Sequence, residues 1–207
     1  MNKQYCQDII KNRRSIRKFK SCPVDDEHLE MIIEAARLAP SGTNRQPWRF
    51  ILMTSEKEKN IIKNAVIQPF VLEAPALFLC CLDRSSFTRD LVEKRMQELI
   101  EAQVVSKEAG YYIKQRKMPL SVDDVILPPS AYLDLGIAVE NMVLMAASLG
   151  LGSCWVRLFD AQQVREALSL PTRIEPVVLL PVGYPAETPP PRPRLKRDEL
   201  LIKIKAD

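Results

Sequence analysis

At 207 residues the chain is long enough for one domain with a substantial core, and 46% hydrophobic against 27% charged residues is the balance of a soluble globular protein. Thirty basic and 26 acidic side chains leave a formal charge of only +4, too little to argue for a nucleic-acid surface. Five cysteines without a CxxC spacing speak against a disulfide framework and a zinc site. No apolar stretch is expected to approach the roughly 20 residues that span a bilayer. The polar N-terminus does not read as a signal peptide, so a cytoplasmic location is expected.

In chain order, the first feature is Arg13, Arg14, Ser15, Ile16 and Arg17, which puts three guanidiniums and a hydroxyl into five residues. Arginine stays charged at any working pH, and its planar fork binds phosphate bidentately, so this block is a compact anion receptor. Asp25 and Asp26 are expected to cap a helix in which Leu29, Ile32, Ile33 and Ala36 recur at i, i+3, i+4 and i+7. Pro40 ends it, because the residue before proline disfavours helical geometry. The following loop contains Ser41, Gly42, Thr43, Asn44 and Gln46, hydroxyl and amide groups suited to hydrogen-bonding a polar heterocycle. A strand is predicted over 48–53, a polar-faced helix over 56–66, and a buried strand over the continuous apolar run 76–82. Cys80 and Cys81 fall in that run. Neighbours on a strand point to opposite faces, so they read as small hydrophobes and not as a redox pair.

A charge-rich helix is expected over 90–107, then irregular chain over 110–129 around Tyr111, Tyr112, Met118, Pro119, Pro128 and Pro129. Together, residues 83–130 read as a surface excursion or lid. The stretch 131–149 predicts a long helix with only Asp134 and Glu140 charged, which must be buried on nearly every side; a subunit interface would do this. A turn over 150–153 leads to a short strand at 154–156, a short helix over 161–168 and a strand over 176–182. Four prolines in 188–194 predict extended chain. Arg192, Arg194, Lys196 and Arg197 form a second basic cluster, which could converge with the first on one anion. There is no internal repeat, and the mixed order of elements predicts a single three-layer α+β or α/β domain over 1–207, with 185–207 an extended C-terminal segment. The one histidine, His28, is expected to be exposed, and no acidic pair or metal-ligand spacing supports a hydrolase triad or a metal centre.

The basic block, the capped helix and the Ala39, Pro40, Ser41, Gly42, Thr43, Asn44, Arg45, Gln46, Pro47, Trp48 loop, in that order and spacing, resemble the N-terminal signature of the nitroreductase family. These are flavoenzymes that hold FMN at a homodimer interface. The resemblance covers about 9–82 and 131–200; residues 83–130 match by position only. It implies an α+β, three-layer α/β/α fold with a central, mostly antiparallel sheet flanked by helices, in an intertwined homodimer. It implies Arg13, Arg14, Ser15 and Arg17 on the FMN phosphate, ribityl chain and part of the ring. Pro40, Ser41, Gly42, Asn44 and Gln46 would approach the flavin bound mainly by the other subunit, and Gln68 would lie near its pyrimidine edge. A family lysine aligns with Val71, which leaves Arg17 as the cation near N1.

The resemblance further implies that Trp155, Val156 and Arg157 face the flavin, one backbone N–H approaching N5, and that Arg192 and Arg194 close the phosphate clamp. Trp155 reads equally as a core aromatic. The implied activity is ping-pong hydride transfer from NADH or NADPH through flavin N5 to a nitroaromatic or quinone, with no side chain acting as acid or base. Tyr111, Tyr112 and Met118 are candidates for the substrate cover. Within the same fold the alternatives are a flavin-dependent dehalogenase or dehydrogenase of one metabolite, or a non-catalytic FMN-binding module. Neither a nucleic-acid nor a membrane partner is expected.

Overall fold

Four strands, β1 (Trp48–Met53), β2 (Ala76–Asp83), β3 (Gly152–Ser153) and β4 (Ile174–Gly183), form one antiparallel sheet in the order β1-β2-β4-β3. The computed structural model describes residues 3–114, 117–202 and 204. Every residue of β2 is buried, and its side chains alternate between two cores. Ala76, Phe78, Cys80 and Leu82 face one core, while Leu77, Leu79 and Cys81 face the other. Helices therefore cover both faces, which explains a strand that reads as unbroken apolar sequence. Cys80 and Cys81 diverge as expected, and burial pushes both thiols up, Cys81 to about 12. Between these two cysteines the β2–β4 register slips, Cys80 pairing with Val178 and Cys81 with Pro176. Pro176 has no N–H to give a ladder, and a bulge is where a sheet tolerates it.

In chain order the helices are α1 (Lys3–Asn12), α2 (Asp26–Arg37), α3 (Glu56–Ile61), α4 (Phe70–Glu73), α5 (Arg89–Glu101), α6 (Lys107–Lys114), α7 (Pro129–Ser148), α8 (Ala161–Ala167) and α9 (Arg197–Leu200). The first core is roofed by α2, through Leu29, Ile32 and Ala36, and by α7, through Leu135, Ala138, Met142 and Val143. Asn141 ties the two helices, its amide donating to the Ala35 carbonyl at 3.2 Å. Ile62, Ala65, Val71 and Val164 close the second core from the opposite side. The result is the α+β, three-layer arrangement expected.

Several boundaries differ from the sequence reading. The helix expected over 56–66 stops at Ile61, and a 3₁₀ turn, Lys63–Ala65, replaces its second half. Burial of Ile62 and Ala65 draws the chain inward there, and Val66 bridges to Phe159 instead. The helix expected over 90–107 ends at Glu101. Gln103 takes a left-handed φ of 59°, and the Leu99 carbonyl accepts from the Val104 amide at 2.9 Å, a Schellman closure. Ser169, with φ 50°, ends α8 in the same way, and Gly150 ends α7. The segment expected to be irregular after 110 begins inside α6, and α1 is an addition to the elements expected. The short strand lies at Gly152–Ser153, not 154–156, because Val156 makes only an isolated bridge to Leu179.

The cap on α2 is also different. Asp25 sits at the N-cap in extended geometry, but its carboxylate accepts from the Tyr184 hydroxyl at 2.9 Å and not from a helix amide. His28 is half-buried, its Nδ1 3.7 Å from Asp25 Oδ2. Helix α7 corrects two expectations. It is long and apolar enough to cross a membrane by length and composition, although it serves as a core helix here. Within one chain it is buried on one side only: Leu133 is 65% exposed, and Ile137, Glu140 and Leu144 on the same face are half-buried.

Candidate functional site

After α1 the chain is threaded against the end of the sheet. Ser15 pairs in parallel with Ser153, and the Ile16 amide donates to the Ser153 carbonyl at 2.9 Å. Gly152 makes this approach possible, since a Cβ there would lie 2.5 Å from Ile16 Cγ1. On the other side the Lys20 amide donates to Tyr184 O at 2.8 Å, and the Ala186 amide to Lys18 O at 2.9 Å. Glu187, which the sequence did not single out, accepts from the Arg17 and Lys18 amides at 2.7 and 3.2 Å. Nothing in its sequence context marks it beyond its place just before the proline run. The backbone of the basic block is therefore fixed from both flanks.

That anchoring brings the two basic ends together. Arg13, Arg14, Ser15, Arg192 and Arg194 line one cavity of about 300 Å³, floored by Pro189, Pro190 and Pro191. A second cavity of about 360 Å³ adjoins it, sharing Arg13, Arg14 and Pro189 and reaching Ser153 and Gly150. The convergence registers at Cys154. Burial pushes its thiol up, opposed by the Arg17 guanidinium, a hydrogen bond with Ser15, and the Arg192 and Arg13 guanidiniums. Arg14 also braces its own segment, where its guanidinium donates to the Lys11 and Arg13 carbonyls at 2.7 and 2.8 Å and closes the end of α1. Arg194 donates to the Pro193 carbonyl at 3.0 Å. Among the described residues, no group of His, Cys, Asp and Glu could hold a metal ion.

Beyond the cavity, the Arg17 guanidinium lies 6.0 Å above the Phe70 ring, and half-buried Gln68 precedes α4. Val71 is fully buried in the second core, so position 71 offers an apolar side chain to the interior and no cation to a ligand. Trp155 packs against the first core and donates its indole N–H to Glu140 Oε2 at 3.1 Å, which accounts for it as a core aromatic with a satisfied polar end. Val156 is buried. Arg157 is exposed and lines a different cavity, of about 340 Å³, with Tyr132, Phe159 and Pro176.

The polar loop that follows α2 is not beside the arginine cavity of its own chain. The Gly42 amide donates to Asp134 Oδ1 at 3.1 Å, at the N-terminal end of α7, whereas Ser148, at the other end, lines the cavity system. Fourteen residues of helix at about 1.5 Å each separate these points by roughly 20 Å. Asp134, noted in the sequence only as a charge in an apolar helix, is buried to receive that amide. Within the loop Thr43, Asn44 and Gln46 all have left-handed φ, at 57°, 50° and 49°. The Gln46 amide donates to Ser41 Oγ at 3.0 Å, and its side chain to Asn44 Oδ1 at 3.0 Å. Three non-glycine residues in this region cost about 1 kcal/mol each, and such strain concentrates at functional sites.

Phe87, Val92 and residues of the 117–128 segment line a cavity beside the same loop. The Arg45 guanidinium lies 5.0 Å above the Phe87 ring. This third cavity, of about 240 Å³, opens between Thr43 and Arg45 on one side and Met118, Pro119 and Ile126 on the other. Of the residues expected to cover a substrate, Met118 lines this cavity, Tyr111 is exposed on α6, and the Tyr112 side chain lies outside the described residues.

Comparison with known proteins places the chain in a family. The sequence model of the Nitroreductase family matches residues 10–184. An NADH dehydrogenase of Thermus thermophilus is 31% identical over 92% of this chain and 91% of its own. An iodotyrosine deiodinase of Thermotoga neapolitana is 28% identical over 95% of each. A protein of Exiguobacterium sibiricum, solved in complex with FMN, is 24% identical and superposes with a TM-score of 0.78 over 96% of both chains.

Proposed function

Because the chain belongs to the nitroreductase family, we propose that it is an FMN-dependent oxidoreductase that moves electrons from NADH or NADPH to an electron-poor acceptor such as a nitroaromatic or a quinone. The observation that carries this reading is the single cavity closed by Arg13 and Ser15 from one end of the chain and Arg192 and Arg194 from the other. Its donors are guanidiniums and a hydroxyl, the set that binds a phosphomonoester dianion in bidentate fashion.

The residues fit FMN. Arg13, Ser15, Arg192 and Arg194 hold the phosphate, with Arg14 bracing the end of α1 beside it. Gln68 serves the pyrimidine edge. Arg17, with no cation at position 71, offsets the charge that reduction places near N1. The backbone of Trp155, Val156 and Arg157 would face the ring. FMN, when bound, would supply the redox chemistry, a two-electron link between the nicotinamide and the acceptor. For a quinone the turnover balances as NAD(P)H, one proton and quinone giving NAD(P)+ and hydroquinone. The reaction needs no side chain as acid or base, since solvent can supply the proton. A reaction drawing on NADH or NADPH fits a cytoplasmic setting.

The protein acts as a homodimer in this reading. Pro40, Ser41, Gly42, Asn44 and Gln46 lie about 20 Å from their own arginine cavity and complete the site of the other subunit. The face of α7 carrying Leu133, Ile137 and Leu144, left open in one chain, is the surface that pairs. Residues 83–130 form the variable cover over the acceptor. A second reading, reductive dehalogenation of one metabolite on the same site, is favoured by the likeness to the deiodinase.

The test is spectroscopic. Purified protein is yellow, with one FMN per chain, and anaerobic NADH or NADPH bleaches the flavin bands, which reappear on adding a quinone or nitroaromatic. A colourless protein that takes up no FMN sinks the proposal. A yellow protein that neither nucleotide bleaches makes it a passive flavin binder.

A further inference from the structure

We infer that the cavity between the Thr43–Arg45 turn and the 117–128 segment is an acceptor subsite that selects a planar ring bearing an anionic substituent, a carboxylate above all. This rests on the reading that the 40–46 loop faces the partner's flavin, because the cavity shares Thr43 and Arg45 with that loop. At about 240 Å³ it admits one aromatic ring and little more.

Its lining has two chemistries. Phe87, Met118 and Ile126 offer an aromatic face, a polarizable thioether and an aliphatic wall, the partners of a flat apolar body. Arg45 and Lys117 bring two positive charges to the same cavity, and among the described residues no acidic side chain lines it. The Arg45 guanidinium lies 5.0 Å from the centre of the Phe87 ring, a contact that keeps its positive charge at the cavity wall. Lys117 is an exposed point charge on the opposite wall, able to follow a carboxylate whose ring has entered. Neutral aromatics gain only the apolar wall; a carboxylated ring also gains the positive potential that Lys117 and Arg45 bring to the cavity.

The experiment compares 4-nitrobenzoate with 4-nitrobenzamide on the FMN-loaded dimer, with NADH as donor. The ring and nitro group are the same. The amide is the more electron-withdrawing substituent, so intrinsic reactivity favours the neutral compound, and a preference for the acid reports the protein. Each nitro group takes a hydride equivalent and a proton and leaves as nitroso and water. The expected kcat/KM favours 4-nitrobenzoate by roughly fivefold or more, and Lys117→Gln lowers that ratio roughly fivefold through KM, the size of one partly exposed ion pair. Lys94→Gln, an exposed lysine on α5 outside the cavity, leaves the ratio unchanged. Equal kcat/KM for acid and amide, or a ratio that Lys117→Gln does not move, overturns the assignment. So does a rise in KM for NADPH with the acceptor ratio intact, which would give the cations to the nucleotide donor.

If neither compound turns over, equilibrium dialysis of 4-nitrobenzoate against the oxidised, FMN-loaded protein decides the matter without catalysis. Binding that weakens about fivefold in Lys117→Gln supports the subsite, and absent or unaltered binding refutes it. Failure of the oxidoreductase reading shows separately, as loss of flavin or of bleaching.

Discussion

Gly152 controls how near the basic block comes to the sheet. With no Cβ, it lets Ile16 lie against β3, and that contact holds Ser15 beside Ser153 and aims Arg13 at the cavity. Arg192 and Arg194 reach the same place from a segment with no regular structure, where four prolines in 188–194 keep the chain extended. The proposed phosphate grip thus joins one arm locked by backbone pairing to another stiffened by composition. Replacing Arg13 and Arg194 with alanine together removes two charge-assisted contacts. FMN affinity, measured by fluorescence titration of the apoprotein, is expected to fall by roughly a hundredfold or more. Unchanged affinity would take the phosphate away from this cavity.

At the scale of elements, β2 ends in a charge cluster opposite the cofactor side. Asp83 is 1% exposed; its carboxylate receives Arg173 at 2.6 Å, Arg49 at 3.1 Å and the Ser85 hydroxyl at 2.7 Å, joining β1, β2 and the start of β4. Burial raises the Asp83 carboxyl, but the hydrogen bonds from Ser85 and Arg173 and the Arg49 charge outweigh it and hold the group below its ordinary value. Asp83→Ala is expected to cost about 2 kcal/mol at pH 7, less than a fully buried pair, because both guanidiniums are half in water. A lowered folded value means this stability is complete above the ordinary aspartate value of about 3.9 and drains as pH falls through the folded one. Urea unfolding of both proteins at pH 7 and pH 3 checks it, with the difference shrinking in acid.

The elements also show which sequence signals carried information. The apolar run of β2 and the i, i+3, i+4, i+7 pattern of α2 were legible because burial alone determines them. The end of α5 was not, because Gln103 occupies a left-handed position that usually belongs to glycine. The cavity arginines were legible as a motif. Glu187 was not, since an acidic residue bound to two backbone amides has no pattern in sequence. Arg14 carried the right charge, yet its guanidinium also closes the end of α1.

For the whole molecule, one helix relates everything that matters. Helix α7 receives the Gly42 loop at its N-terminal end and borders the cavity system at its C-terminal end, with Glu140 steadying Trp155 between them. On the proposed reading, its open face makes dimerisation a condition of flavin binding. Leu133→Glu combined with Leu144→Glu places charge on that face, and sedimentation is expected to show monomers that have lost FMN. A flavin-loaded monomer would dissociate the two properties and reject the shared site.

The length of α7 then acts as a ruler. In the proposed two-fold dimer the same 20-residue rod spaces a loop from its own chain and the cavity that would meet the other chain's loop. One inserted residue would rotate the two ends by about 100° relative to each other and lift them about 1.5 Å apart. Symmetry repeats that error in both sites at once. On that reading, a change of length in 83–130 would be tolerated more readily than one in the rod beneath it.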